Sequence, residues 1–359
     1  MEIVPLSAVG VDTWAAFVDS CDECWLYHHP AFFDVASEDS RSFAVLDRGR
    51  IAGGCVLFVN RSGLGKMLGG RFGSSGLALR PEASHRAYPL VRNYLFESAR
   101  KDGCHAIQMG MPALAPAYRS ADYLDTHLCH LGFTNTLRWG TLTHYTPSYT
   151  TVIDLALPLD QIWRAFATSV RQKCAHASQV PFTHEFVQNG VTDEAWAAFV
   201  VNHQTTMRLG GTHSLPATLL ARLRDLVAKG YGALINIGIG DTIAASLLLL
   251  TYKQSAFYFA SGVRPDAYAG GFAAQLHWTA IHELKNRGFK EYEVGQFFPA
   301  LRGTKLGHLG DFKRRFGGSK RAVLTGELVT QELRFLGLDL MPAYGKQWAK
   351  KIYRSVRRS

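Results

Sequence analysis

The chain has 359 residues, of which 47% are hydrophobic and 19% are charged, and its formal net charge is +10. This composition excludes a disordered protein, and the length favours two domains over a single core. No apolar run reaches the roughly 18 residues of a membrane-spanning helix, and the first residues lack the pattern of a secretory signal. We therefore expect a folded protein in the cytoplasm, without a membrane span.

A short cysteine motif stands near the beginning of the chain. Cys21 and Cys24 form a C-x-x-C, and His28 and His29 follow it. A structural zinc site needs a full set of ligands held by short turns, and the rest of the sequence does not supply one. Ordinary packing is the better interpretation, so we expect no bound metal.

The first half then runs as hairpin, strand, helix and strand. The turn at Asp47–Gly49 precedes an apolar return strand, which is typical of a hairpin. Arg80-Pro81-Glu82 ends a strand and starts a helix, because proline and an acid both suit a first helical turn. That helix ends at Gly103, where a left-handed cap is expected, and the next strand ends at Gly110.

A helix-rich stretch lies in the middle of the chain. Apolar residues at helical spacing occupy positions 161–174, and further helices are predicted over Thr192–Leu209 and Pro216–Lys229. The segment Thr143–Ser148 looks like a linker. We therefore predict an N-terminal domain over residues 1–147 and a C-terminal domain over 148–330.

The second half repeats the order of the first. A hairpin turn at Gly240-Asp241 comes first, and Arg264-Pro265-Asp266 then starts a helix that ends at Gly288. A strand ending at Gly295 follows, as the strand ending at Gly110 does in the first half. The spacings from the arginine to the cap glycine differ by one residue between the halves. This internal duplication predicts an α+β fold made of two similar halves.

A basic segment, predicted as a helical tail over residues 331–359, closes the sequence. Its lysines and arginines near the C-terminus are Lys346, Lys350, Lys351, Arg354, Arg357 and Arg358. Such a cluster attracts polyanions, so tRNA, an anionic membrane surface contacted peripherally and a nucleotide-linked substrate are all candidate partners. A solvated terminal helix is the alternative, and we expect no DNA partner.

Three motifs of the second half resemble the FemAB and BioF2-like acyltransferase family. Ser169–Ala175 is similar to the basic helix that opens the second domain of these proteins. Phe259–Ile281 is similar to their strand, glycine pair and helix. Tyr292–Gly295 followed by Phe312–Gly318 is similar to their closing motif. The resemblance covers Thr151–Glu327, about half of the chain.

The resemblance implies a fold of two GNAT-like halves and the transfer of an acyl group to an amine. Some family members take aminoacyl groups from tRNA to build peptidoglycan bridges, and others are thought to use acyl-CoA. The strand end that commonly reads Asp-Pro in the bridge-building enzymes reads Met111-Pro112 here. This difference favours acyl-CoA as the donor over aminoacyl-tRNA.

The donor-binding loop is predicted from the same resemblance. A GNAT loop holds the pyrophosphate of the donor on main-chain N–H groups at a helix N-terminus. Tyr268, Gly270, Gly271 and Ala273 match that loop, with a tyrosine in the first place of the pattern. The glycines would let the main chain approach a phosphate closely, although they could equally make a tight turn.

Seven further side chains are candidates for catalysis or for binding the acceptor. The resemblance suggests that Lys313 neutralises a phosphate or stabilises a developing oxyanion, and His203, His213 or Glu293 could remove the proton of the amine. Arg208, Tyr258 and Gln296 are candidates for contact with the substrate. The leading prediction is N-acyl transfer from acyl-CoA to a small-molecule or sugar-nucleotide amine. The alternatives are aminoacyl-tRNA-dependent transfer and a non-catalytic scaffold that binds polyanions.

Overall fold

The computed structural model describes most of the chain, in ranges that are separated by gaps. These ranges are residues 1–34, 37–62, 65–70, 75–119, 121, 124, 126–134, 148–301 and 303–331. The predicted domain boundary at residue 147 and the basic tail from residue 332 onward lie outside them. The described residues form two compact units, one of which is built from two separate segments of sequence.

Unit 1 comprises residues 1–148 together with the segment that starts at Ala322. Its strands are β1 Glu2–Pro5, β2 Phe43–Asp47, β3 Arg50–Cys55, β4 Phe58–Ser62, β5 Gly65–Gly69, β6 Ala78–Leu79, β7 Ala106–Gly110 and β15 Thr325–Val329. Its helices are α1 Val11–Ser20, α2 Ser84–Asp102 and α3 His127–Leu131. The strands form two four-stranded sheets, ordered β1-β2-β3-β6 and β15-β7-β5-β4.

Unit 2 comprises Tyr149–Arg321 and contains a seven-stranded sheet. Its strands are β8 Tyr149–Asp154, β9 Thr183–Val187, β10 Gly232–Ile239, β11 Thr242–Tyr252, β12 Ser255–Val263, β13 Glu291–Phe297 and β14 Ser319–Ala322. Its helices are α4 Leu159–Ala165, α5 Thr168–Ala177, α6 Asp193–Leu209, α7 Ala217–Ala228, α8 Pro265–Ala269, α9 Phe272–Asn286 and α10 Lys305–Arg314. The order of the strands is β14-β8-β13-β12-β11-β10-β9.

The predicted repeat is present in the structure. The hairpins β2–β3 and β10–β11 are antiparallel, and each contains one register shift. Helix α2 follows Arg80-Pro81, and α2 and α9 end next to left-handed glycines at Gly103 and Gly288. The single helix predicted from Pro265 to Gly288 is instead two helices, α8 and α9, because Gly271 between them is left-handed. The α+β fold in two similar halves is therefore confirmed.

Three further details differ from the sequence analysis. Residues 322–330 were expected in the second domain, but β15 pairs with β7 of unit 1, from Thr325 opposite Gly110 to Val329 opposite Ala106. The helical spacing over residues 161–174 belongs to two helices, because Phe166 is extended and ends α4. The strand expected to end at Gly295 continues to Phe297.

A single apolar layer lies between the sheet of unit 2 and helices α5 and α9. Phe166, Phe272, Tyr292 and Phe316 are at most 2% exposed within it. Burial of a large apolar side chain contributes about 1.5–3 kcal/mol to stability, so this layer fixes the position of the neighbouring strands β12 and β13.

None of the helices within the described residues is long and apolar enough to cross a bilayer.

Candidate active site

The central feature of unit 2 is a gap between two neighbouring strands. β12 and β13 pair in parallel only from Ser255 opposite Glu291 to Phe257 opposite Glu293. Both strands carry a register shift on their other sides, against β11 and β8. Such bulges bend strands and redirect side chains. Beyond Phe257 the two strands therefore separate and present main-chain groups that no longer pair across the gap.

Glu293 is the last residue of β13 that pairs with β12. Its Oε1 atom accepts a hydrogen bond of 2.6 Å from the Thr150 hydroxyl on β8. Burial raises the pKa of this carboxyl to about 7, against the opposing effects of the Thr150 hydrogen bond and the charge of Lys313. A carboxylate with a pKa near neutrality suits a general base.

Lys313 lies in the last turn of α10 and reaches the same strand. Its Nζ atom donates a hydrogen bond of 3.3 Å to the main-chain carbonyl of Gln296 and lies 5.9 Å from the centre of the Tyr258 ring. Burial lowers the pKa of the ammonium to about 8, although the charge of Glu293 raises it. The site therefore holds a cation that is close to its point of deprotonation.

Gly295 makes room for this lysine. Its φ is +108°, and a Cβ atom built on it would lie 2.8 Å from the Nζ atom of Lys313. An L-residue would be strained in this conformation and would also displace the ammonium. The glycine that the sequence analysis placed at the strand end is thus part of the bulge that shapes the site.

An aromatic wall lies beside Lys313. The Tyr258 hydroxyl is 2.8 Å from the Ser261 hydroxyl, and its ring stands edge-on to His277 at 4.9 Å. Burial and the charge of Lys313 lower the pKa of His277 to about 3, so its imidazole is neutral. Nδ1 of His277 lies 2.6 Å from the Tyr292 hydroxyl, within hydrogen-bond distance.

His203, predicted as a possible base, is held by main-chain groups on both sides. Its Nδ1 atom donates to the Ser261 carbonyl over 3.0 Å, and its Nε2 atom accepts from the Leu215 N–H over 3.4 Å. The side chain is 3% exposed. Since both nitrogens are engaged, the arrangement fits a residue that ties α6 and the α6–α7 connection to β12.

The glycine pair of the predicted donor loop lies between α8 and α9. Gly271 has a φ of +89°, and a Cβ atom built on it would lie 2.4 Å from the main-chain oxygen of Lys173 on α5. Close helix packing therefore accounts for the glycine at this position. The first N–H groups of α9, around Ala273, are the ones that a helix leaves available to an anion.

The remaining predicted residues lie in different surroundings. Tyr268 is 63% exposed, and Arg208 is exposed in the last turn of α6. Gln296 is partly buried on β13, and its carbonyl binds Lys313. Close contacts thus bring Lys313, Tyr258 and Gln296 together beside Glu293, while Arg208 and Tyr268 are surface side chains.

Sequence reasoning missed the side chains that support the site. Thr150 and His277 were not selected, because a threonine on a strand and a histidine on a helix are ordinary residues of a core. Gly295 offered a usable signal, since a glycine inside a strand pattern often marks a bulge.

Comparisons with known proteins identify a matching family model and similar folds. Residues 164–314 match the model of the "Acetyltransferase (GNAT) domain" family. The structure is similar to that of FemX, with a TM-score of 0.69 and 12% identity, over 94% of this chain and 100% of that one. It is also similar to L-PGS from Bacillus licheniformis, with a TM-score of 0.57 and 12% identity, over 93% of this chain and 95% of that one.

A further structural neighbour is a tandem GNAT protein from the clavulanic acid biosynthesis pathway. Its TM-score is 0.52 and its identity 12%, over 92% of this chain and 98% of that one. No functionally curated protein matches the sequence. At such identities the neighbours show the fold, and the matched family model covers the residues that form the gap between β12 and β13.

Proposed function

We propose that the chain is a GNAT-superfamily acyltransferase with a FemAB-like architecture, and that it moves an acyl group from acyl-CoA to an amine. The proposed acceptor is a small molecule or a sugar nucleotide. The observation that carries the proposal is the burial of Glu293 and Lys313, each of which influences the pKa of the other, at the point where β12 and β13 separate.

The gap offers the donor an extended binding surface. An extended acyl chain and its thioester can hydrogen-bond to the main-chain groups that β12 and β13 no longer share. The pyrophosphate of CoA would lie at the N-terminus of α9, whose first N–H groups attract anions. Ala273 is partly buried there, so a small side chain leaves space for the phosphate.

The transfer itself needs a base and a stabilising cation. The amine nitrogen attacks the thioester carbon, and negative charge develops on the carbonyl oxygen, where the Lys313 ammonium would stabilise it. Glu293 accepts the proton that the amine loses. The carbon–sulfur bond then breaks, the leaving CoA thiolate takes the proton from Glu293 and departs as the thiol, and an amide remains.

Donor binding is tested by thermal shift with CoA and acetyl-CoA. A ligand that binds only the folded state raises the melting temperature in a concentration-dependent way. We expect a saturable rise for the wild type and a much smaller one for Ala273→Asp, which places a carboxylate where the phosphate would bind. Ala197→Asp, on the exposed face of α6, is the matched control and should behave like the wild type.

Three outcomes separate the candidate functions. Equal rises of the melting temperature in wild type and Ala273→Asp would show that the donor does not bind at the N-terminus of α9. No shift in the folded wild type would contradict acyl-CoA as the donor, and aminoacyl-tRNA, the other donor that the family resemblance implies, would be tested next. Binding of polyanions without transfer to any amine would favour a scaffold.

A further inference from the structure

Unit 1 contains a cavity of about 670 Å³, a size that suits a small ligand. It lies between α1 and the hairpin β2–β3. One wall is a single face of α1, whose residues follow one another at helical spacing: Thr13, Ala16, Phe17 and Ser20. The other walls come from β1, the turn after it and the hairpin. The proposed transfer reaction uses none of these elements.

The walls of this cavity are largely apolar. Besides Ala16 and Phe17 of α1, the apolar residues that line it include Val4, Val9, Leu46 and Ile51. These last four side chains are only partly buried, so each leaves some apolar surface in contact with water. A ligand that covers this surface gains free energy in proportion to the apolar area that it buries. The walls therefore favour a ligand with an aliphatic part.

Arg80 places a positive charge at the same cavity. Its guanidinium carbon lies 5.5 Å from the centre of the Phe17 ring. Its Nε atom donates to the Ile51 carbonyl over 3.4 Å, and its Nη2 atom donates to the Ser20 hydroxyl over 3.3 Å. Both bonds use one edge of the planar group. The end formed by Nη1 and Nη2 keeps N–H groups for a further acceptor, in the fork that matches a carboxylate.

The charge of this cavity is positive and has no acidic partner among the described residues. Arg50 and Arg80 both line the cavity, none of its described lining residues is an acid, and neither arginine forms an ion pair. Asp47, which lies opposite Arg50 in the hairpin, pairs with Arg86 instead. A guanidinium stays protonated in proteins, so this charge does not depend on pH in the physiological range.

The internal repeat provides a comparison for Arg80. Arg264 is its counterpart in unit 2, and it binds the Asp266 carboxylate through Nε at 3.1 Å and Nη2 at 2.6 Å. Glu82 has the place of Asp266 in unit 1, but within the described residues it forms no ion pair with Arg80. Unit 2 thus supplies its own carboxylate to this arginine, whereas unit 1 does not. The difference favours a carboxylate as the charged part of a ligand in unit 1.

We propose that the cavity between α1 and the hairpin β2–β3 binds a carboxylate that carries an aliphatic tail. The carboxylate accepts N–H groups from Nη1 and Nη2 of Arg80, and Arg50 adds positive charge to the same cavity. The tail lies against Phe17 and the apolar walls. This proposal does not depend on the proposed transfer reaction.

The test is isothermal titration of the full chain with octanoate at constant ionic strength. We expect saturable binding to the wild type. Arg80→Gln removes the charge and should bind octanoate at least about tenfold more weakly. Arg264→Gln, at the corresponding place in unit 2, is the matched control. Its carboxylate partner belongs to the chain itself, so this variant should bind octanoate like the wild type.

A second variant keeps the test independent of any loss of folding in Arg80→Gln. Ala16 is exposed on α1 and lines the cavity, and glutamate is a good helix former. Ala16→Glu should therefore fold, and its carboxylate should compete with the ligand for Arg80. We expect it to bind octanoate at least about tenfold more weakly than the wild type.

Three other ligands separate the contributions of charge and tail. Octanamide has the tail without the charge, and acetate has the charge without the tail. Each should bind at least about tenfold more weakly than octanoate, because every buried methylene contributes about a fourfold increase in affinity and the ion pair contributes the rest. Inorganic phosphate should also bind more weakly, since it cannot cover the apolar walls.

Several results would overturn the proposal. These are no saturable binding of octanoate to the folded wild type, binding of octanamide, acetate or phosphate as tight as that of octanoate, and wild-type affinity in folded Arg80→Gln or Ala16→Glu. Wild-type affinity in both variants would place the octanoate elsewhere in the chain, for example in the gap between β12 and β13.

Discussion

Two residues of unit 2 have pKa values displaced toward each other. Glu293 titrates near 7 because burial penalises its charged form, and Lys313 titrates near 8 for the same reason. The carboxylate is ionised above the first value, and the ammonium is charged below the second. Both groups are therefore in the forms that the proposed reaction needs only in a narrow range of pH around these values.

This arrangement predicts a bell-shaped pH profile for kcat/KM with acetyl-CoA and an accepted amine. The rate should rise as Glu293 loses its proton near pH 7 and fall as Lys313 loses its proton near pH 8. Thr150→Val removes the hydrogen bond that stabilises the charged carboxylate. It should move the acidic limb upward by about 0.5–1 pH unit and leave the basic limb in place.

Thr151→Val, the neighbouring substitution on β8, is the control for this prediction. Thr151 is also buried but pairs with Gly295 rather than bonding to Glu293. If Thr150→Val left the acidic limb where it is in the wild type, a group other than Glu293 would control that limb.

At the scale of elements, unit 2 depends on the close packing of α5 against the start of α9. Gly271 makes this possible, because it adopts a left-handed conformation directly against the main-chain oxygen of Lys173. The aromatic rings of Trp163 on α4, Phe166 at the end of α4 and Trp278 on α9 also contact one another. Gly271, in the loop predicted to bind the donor, therefore also has a role in helix packing.

Gly271→Ala should lower the free energy of unfolding by at least about 2 kcal/mol, because it adds both backbone strain and a steric clash. Gly288→Ala is the matched control: Gly288 has a φ of +80°, but nothing lies within 4 Å of the added Cβ. Gly288→Ala should lower the free energy of unfolding only by the backbone strain, about 1 kcal/mol. Urea unfolding measures both, and equal losses would show that Lys173 does not constrain Gly271.

The sequence predicted elements better than it predicted the site. Hairpins and helix caps follow from local chemistry, so the hairpin turns and the cap glycines Gly103 and Gly288 were located correctly. The break between α4 and α5 was not predicted, since Ala167 bonds to Arg315, far away in the sequence. Thr150 was missed for the same reason, because its role depends on a strand pairing that no local pattern reveals.

At the scale of the whole molecule, the two units do not follow one another along the chain as two continuous segments. Unit 2 is continuous, but unit 1 is completed by β15, which follows unit 2 in the chain. Without β15 the edge of β7 presents unpaired main-chain groups, as exposed sheet edges do.

This connectivity predicts different behaviour for two fragments. Residues 149–321 should fold alone, with a cooperative urea transition, because they contain all of the sheet of unit 2 except the last residue of β14. Residues 1–148 should associate or unfold non-cooperatively, and joining residues 322–331 to them through a flexible linker should restore a cooperative transition. Cooperative unfolding of monomeric 1–148 would show that β15 is dispensable for unit 1.

The late position of β15 also bears on how the protein is made. A ribosome that adds about 5–20 residues per second needs roughly 10–40 s to move from the end of β7 to the start of β15. Throughout that interval the nascent first half carries an open sheet edge, while unit 2 is still being synthesised. Translation speed through the second half, and chaperones that shield β7 during it, should therefore influence the yield of native protein.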